Sequence, residues 1–166
     1  MDTAITLENF DDVLLLLGRM NYSWTNTETL LVHFIAGLAG VDKETAIVIF
    51  LTLNTTRARF DLVDRLAKLE RVEKGARDEI LSFTSEMAEV LKHKNRYNHC
   101  LYSFDEGGRN AKTILMRVAE TKQGIKFGKP QNLDEDEIGR IKGSIRKIEE
   151  LNRAAWAIIL KHGYPV

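Results

Sequence analysis

Residues 91–104 read LKHKNRYNHCLYSF, and within them a long helical pattern gives way to a strand pattern. Upstream, Ile80, Phe83, Met87, Val90 and Leu91 recur at the three- and four-residue steps of an amphipathic helix that starts near Gly75. From Cys100 the period changes to two: CLYSF, a glycine-containing turn over 105–110, TILMRVAE, a TKQG turn and IKF. A chain that is helical on both sides of residues 101–128 and strand-like only within them reads as an all-α, up-down helical bundle with a small β-hairpin insertion.

Working outward, the first helix is expected after the cap Thr6, with Glu8 in its first turn. Leu7, Phe10, Leu14, Leu17, Asn21, Trp24, Glu28, Leu31, Ile35 and Leu38 form one seam that ends at Gly40, with a break or kink expected near 21–25. Asp42 caps a second helix, KETAIVIFLTL, whose apolar residues on most sides predict burial. NTT at 54–56 supplies a stop and the cap of a third helix over 57–69, with Phe60, Val63, Leu66 and Leu69 inward. After the insertion, acidic residues crowd a helix start at NLDEDEIGR, where the macrodipole favours them, and Ile138, Ile141, Ile145, Ile148, Ala155 and Ile159 carry the last helix to Gly163. The expectation is about five helices, the hairpin between the fourth and fifth, in a single domain spanning 1–166.

Composition narrows the function classes. Apolar residues make up 44% and charged residues 29% of the 166, and no run approaches the roughly 18 apolar residues of a membrane span. The N-terminal MDTAITLENFDD has no basic region of the kind that opens a signal peptide, so a cytoplasmic protein with no membrane partner is expected. Lys plus Arg and Asp plus Glu are 24 each, so any polyanion site must be local. The single cysteine, Cys100, excludes an internal disulfide. No P-loop, GxGxxG, GxSxG or HExxH pattern occurs, and His93 and His99 are six apart, off a shared helix face; neither a metal nor a cofactor is expected. His33, His93 and His162 read as surface or edge residues, and Trp24 and Trp156 as core.

Extending the helical phase through the opening stretch places Lys94 and Asn98 on the continuation of the apolar stripe, Asn95 and His99 together at its edge, and Arg96 and Lys92 beyond. In the first helix Asn21 and Glu28 occupy seam positions where a plain core would hold Leu or Ile. A buried carboxylate needs a partner, and Glu28 is expected to face residues 94–99 and orient or neutralise them.

A basic residue, Asn and His closing the long helix before the last one resembles the HEPN domains, whose motif is Arg, four to six residues, then His, often with Asn directly after the Arg. The matching residues are Lys94, Asn95, Arg96, Tyr97, Asn98 and His99, with Lys94 standing where the family has Arg. The resemblance implies an RNA-binding protein or metal-independent endoribonuclease acting as a homodimer, in some cases the toxin partnered by a small nucleotidyltransferase antitoxin. It assigns the chemistry to His99, Arg96, Asn95 and Lys94. His99 would exchange protons, Arg96 or Lys94 would stabilise charge on phosphate, Asn95 would orient the ring or donate to a phosphoryl oxygen, and Tyr97 would stack on a base or join the dimer surface. Lys92, Asn98, Asn21 and Glu28 would bind or orient. Lysine is a point charge and does not reproduce the bidentate arginine fork, so a noncatalytic interaction or scaffold module of the same fold stays open, as does a helical protein that binds a small anion or nucleotide.

Overall fold

The computed structural model describes residues 10–107, 111–116 and 118–166. Thr6, Leu7 and Glu8, the expected first cap and start of the seam, lie outside them, as do residues 108–110 of the expected glycine turn and Arg117 of the expected second strand. Among the described residues six helices and five short strands follow in order: α1 Phe10–Glu28, α2 Leu31–Ala39, α3 Lys43–Thr52, α4 Thr56–Ala67, α5 Lys74–Asn98, β1 Cys100–Ser103, β2 Lys112–Leu115, β3 Val118–Thr121, β4 Gly124–Phe127, β5 Pro130–Asn132 and α6 Glu135–Lys161. The expected first helix is therefore two helices, and the strands follow the fifth helix, not the fourth. The break falls at residues 29 and 30, where Leu30 N–H turns to the Thr27 carbonyl and Val32 N–H to that of Thr29, both at 3.1 Å, in three-residue steps.

The chain divides into two compact units, Met1–Asn21 with Lys92–Ile145, and Tyr22–Leu91 with Arg146–Val166. In the second, α2 is buried along nearly its whole length, from Leu31 to Leu38, and packs on α3 and α4. Gly40 closes it in the left-handed region at φ 69°, and Val41 N–H returns to the Ala36 carbonyl at 3.0 Å. Asp42 caps α3, accepting from Thr45 N–H at 2.8 Å, and Thr55 caps α4, accepting from Ala58 N–H at 3.1 Å.

Helix α3 departs from the expectation of burial. Only Ala46 and Phe50 are covered, while Ile47, Val48 and Leu51 are 38%, 61% and 66% exposed. A short helix lying on one neighbour buries an i, i+4 pair, and an all-round apolar composition has no phase that says more. In α4, Phe60, Val63 and Ala67 face inward; Leu69, expected with them, lies past the helix end and is exposed.

Phe34 of α2 stacks on Phe83 of α5 with centroids 5.3 Å apart and meets Tyr164 edge-on at 6.2 Å. Tyr164 is delivered by a left-handed Gly163 (φ 63°), with its N–H bonded to the Ile159 carbonyl at 3.0 Å. Its ring packs against Gly37, where an added Cβ would fall 2.1 Å from a ring carbon. His33, read above as an edge residue, is buried, with Nδ1 2.6 Å from the Pro165 carbonyl oxygen and its ring 5.3 Å from Trp156.

In the first unit the buried face of α1 is Val13, Leu16 and Met20, one residue out of phase with the expected Leu14, which is 48% exposed. Residues 14–17 are four consecutive leucines, a run that fits more than one helical phase. Ile138, Ile141 and Ile145 of α6 are buried as the spacing predicts. The insertion spans residues 100–132 rather than 101–128. It holds an antiparallel β1-β2-β5 sheet and a separate β3-β4 hairpin, whose Thr121↔Gly124 register encloses the expected TKQG turn. Pro130 pairs on one side only, in the edge strand β5, where its missing N–H costs no ladder bond.

Substituting Gly37→Ala should destabilise the protein by about 1–3 kcal/mol through displacement of the Tyr164 ring, whereas Gly18→Ala, in open helical surroundings, should stabilise it by about 0.5–1 kcal/mol; chemical denaturation of both variants checks the contrast. Glu79 is bonded by Lys161 and by His162 at 3.0 Å, and these hydrogen bonds hold its carboxyl below the ordinary 4.5. Its contribution to stability is thus fully present above pH 4.5 and lost as pH falls through the lowered value. Glu79→Gln should lower Tm at pH 7, with the gap to the parent closing in acid.

Candidate functional site

The end of α5 and the start of α6 carry the densest polar network of the first unit, and its centre is Glu137. Asp134 caps α6 by accepting from the Glu137 N–H at 3.0 Å, which sets Glu137 in the first turn, one turn ahead of Ile141 on the inward stripe. There the carboxylate is buried. Its Oε1 accepts from Arg96 at 2.7 Å and from Arg140 at 3.3 Å, and its Oε2 accepts from the Tyr97 hydroxyl at 2.7 Å. The same Arg96 guanidinium donates to Gln131 Oε1 of β5 at 2.5 Å.

Two aromatic hydroxyls and the thiol complete the cluster. Tyr97 is 3% exposed; burial first and the bond to Glu137 second push its phenol well above the ordinary range, so it stays a neutral donor. Tyr102 of β1 donates to the Tyr97 carbonyl at 2.7 Å, and burial raises its phenol as well. Cys100 directs its Sγ to the Arg96 carbonyl at 2.8 Å, and burial pushes the thiol up, which disfavours a thiolate nucleophile.

These contacts revise the expected orientation of residues 94–99. The inward residue of the last turn is Tyr97; Lys94 is half-buried, and Asn98, expected inward, is exposed because the helix ends there. Arg96, expected nearest to solvent, is held by Glu137 with 35% of its side chain exposed. Asn98 and Asn21, both singled out from the sequence, form a reciprocal amide pair, at 3.2 Å in one direction and 2.8 Å in the other. Asn95 and His99 stand one turn apart, joined by the His99 N–H to Asn95 carbonyl bond at 3.0 Å; Asn95 is half-buried, and His99 and Lys92 are exposed.

Glu28 belongs to the other unit, and it is buried as its seam position suggested. Trp24 Nε1 donates to it at 2.9 Å, the Thr56 hydroxyl at 2.7 Å and Arg59 at 2.9 Å. Its charge is thus compensated by Arg59 of α4, the part the sequence reading had assigned to residues 94–99. The Arg59 guanidinium also lies 4.0 Å over the Phe50 ring.

No family model matches this chain, and no curated protein or solved structure matches it either. Among the described residues no group of three or more His, Cys, Asp and Glu is arranged to hold a metal ion, and no helix is long and apolar enough to cross a membrane.

Glu137, Arg140 and Gln131 were missed in the sequence as site residues. A signal for the first existed: Glu137 precedes Ile141 by four in the same apolar register, as Glu28 follows Trp24 by four. Chemically, the cluster sets one buried carboxylate against two guanidinium groups, Arg96 and Arg140, and presents Asn95 and His99 at the helix end. Glu137→Ala should leave Arg96 and Tyr97 without their acceptor and cost about 2–3 kcal/mol, less than a fully buried pair because Arg96 is partly solvated; urea denaturation measures it.

Proposed function

We propose that the chain is an HEPN-like RNA-binding protein that acts as a homodimer, with Lys94, Asn95 and His99 as the RNA-facing set and Arg96 as a positioning residue. The observation that carries this reading is the division of labour at the end of α5. His99 is exposed with Asn95 one turn before it, while the Arg96 guanidinium is committed to the buried Glu137. A guanidinium whose donors are already engaged by a carboxylate and an amide offers less to the charge that develops on a phosphoryl group in cleavage. Binding is therefore favoured over metal-independent catalysis. With 24 basic and 24 acidic residues and Lys94 the one permanent cation of that set, the affinity is expected to be modest and its salt dependence shallow. In a toxin pair the partner would be a small nucleotidyltransferase.

A second reading, a noncatalytic helical interaction module, draws support from the exposed Ile47, Val48 and Leu51 of α3, an apolar cluster of the kind that meets partners.

Fluorescence anisotropy with a short single-stranded RNA in chelator, gel analysis of the same RNA, and light scattering test the proposal together. The expected result is a dimer that binds RNA without cutting it and loses about fivefold or more in affinity in Lys94→Ala and Asn95→Ala. Cleavage abolished by His99→Ala would restore the ribonuclease reading. A monomer with no RNA affinity would leave the interaction module.

A further inference from the structure

Within the unit formed by Tyr22–Leu91 and Arg146–Val166, an open cleft of about 260 Å³ is lined by Tyr22, Asn26 and Thr27 of α1 and by Glu149, Asn152 and Arg153 of α6. Nothing in the RNA reading above uses it. Its floor is pre-set: Thr27 is fully buried, donates to the Ser23 carbonyl at 2.8 Å and accepts from Asn152 Nδ2 at 3.2 Å. That bond fixes the Asn152 carboxamide before any ligand arrives, which lowers the ordering cost of binding. On the rim, the Tyr22 ring is 70% exposed. A tyrosine exposed on the rim of a polar cleft offers a flat face for stacking.

We infer that this cleft binds one nucleotide, with the base stacked on Tyr22, its edge hydrogen-bonded by the Asn26 and Asn152 amides, and its phosphate on the exposed Arg153. Each part has the matching chemistry. Aromatic rings stack on any base, carboxamides both donate to and accept from base edges, and a guanidinium forks onto phosphate oxygens. The volume falls below that of drug-sized pockets, which suits a single base and excludes a dinucleotide lying wholly inside. A free mononucleotide and one unit of a single-stranded RNA share this chemistry, and the test separates them.

Calorimetric titration of the full chain with AMP, adenosine and ribose 5-phosphate, beside anisotropy with a short RNA, tests the assignment. AMP should bind and ribose 5-phosphate should not. Tyr22→Ala should weaken AMP about tenfold while Tyr22→Phe keeps it within about twofold, and Arg153→Ala should weaken AMP but not adenosine. Binding of AMP without RNA assigns a free nucleotide, and RNA competed off by AMP assigns a strand; either supports the site. Equal binding of ribose 5-phosphate and AMP, no change in Tyr22→Ala, or no binding of any nucleotide would overturn it. RNA affinity that survives Tyr22→Ala and is lost in Lys94→Ala assigns RNA to the helix end, so that the cleft then stands or falls on AMP alone, and the converse result removes the helix-end proposal.

Discussion

A carboxylate set into an apolar helical seam must be met by a cation and by hydrogen-bond donors, because an ionised group left alone there costs several kcal/mol. Two such carboxylates stand among the described residues, and each organises the unit that holds it. Glu28, with Trp24, Thr56 and Arg59, ties the end of α1 to the start of α4. Glu137, with Arg96, Tyr97 and Arg140, ties the last turn of α5 to the first turn of α6, and through Arg96 reaches Gln131 of the edge strand β5. Apolar burial supplies the driving force around both, but these pairings choose which helix ends meet.

The Glu137 cluster also determines what the end of α5 can do. A lysine, an asparagine, an arginine and a histidine in six residues invite assignment of all four to one reaction. The structure separates them by burial and partner. Arg96 and Tyr97 are held at Glu137, and Cys100 is turned back on the helix as a protonated thiol, so their polarity serves the joint between α5, the strands and α6. His99 is exposed. A helix end fixed in this way is a rigid platform whose side chains are sorted into joint and surface.

Much of the fold was legible from the residues. Asp42 and Thr55 cap where their spacing to the following helices indicates, Gly40 and Gly163 take the left-handed conformation that ends α2 and α6, and the change of period at Cys100 marks the entry to the strands. Two of the misreadings share a cause. Where apolar residues run together, as in the four leucines at 14–17 or in α3, the pattern has no unique phase, and the exposed face depends on how much of the helix a neighbour covers. The break expected near 21–25 falls instead at Thr29 and Leu30, where the three- and four-residue steps of the seam continue while the backbone tightens.

Taken alone, the sequence determined the helical character of the chain, the place of its strand insertion, most caps and stops, and the presence of one carboxylate, Glu28, in an apolar register. All of these depend on local spacing, which covalent geometry converts directly into faces and ends. Only the tertiary structure decided which cation answers which carboxylate, that Tyr97 rather than Lys94 closes the inner face of α5, and that Thr27 and Asn152, 125 residues apart, form the floor of one cleft. Such pairings join residues remote along the chain, and no periodicity within a helix encodes its partner.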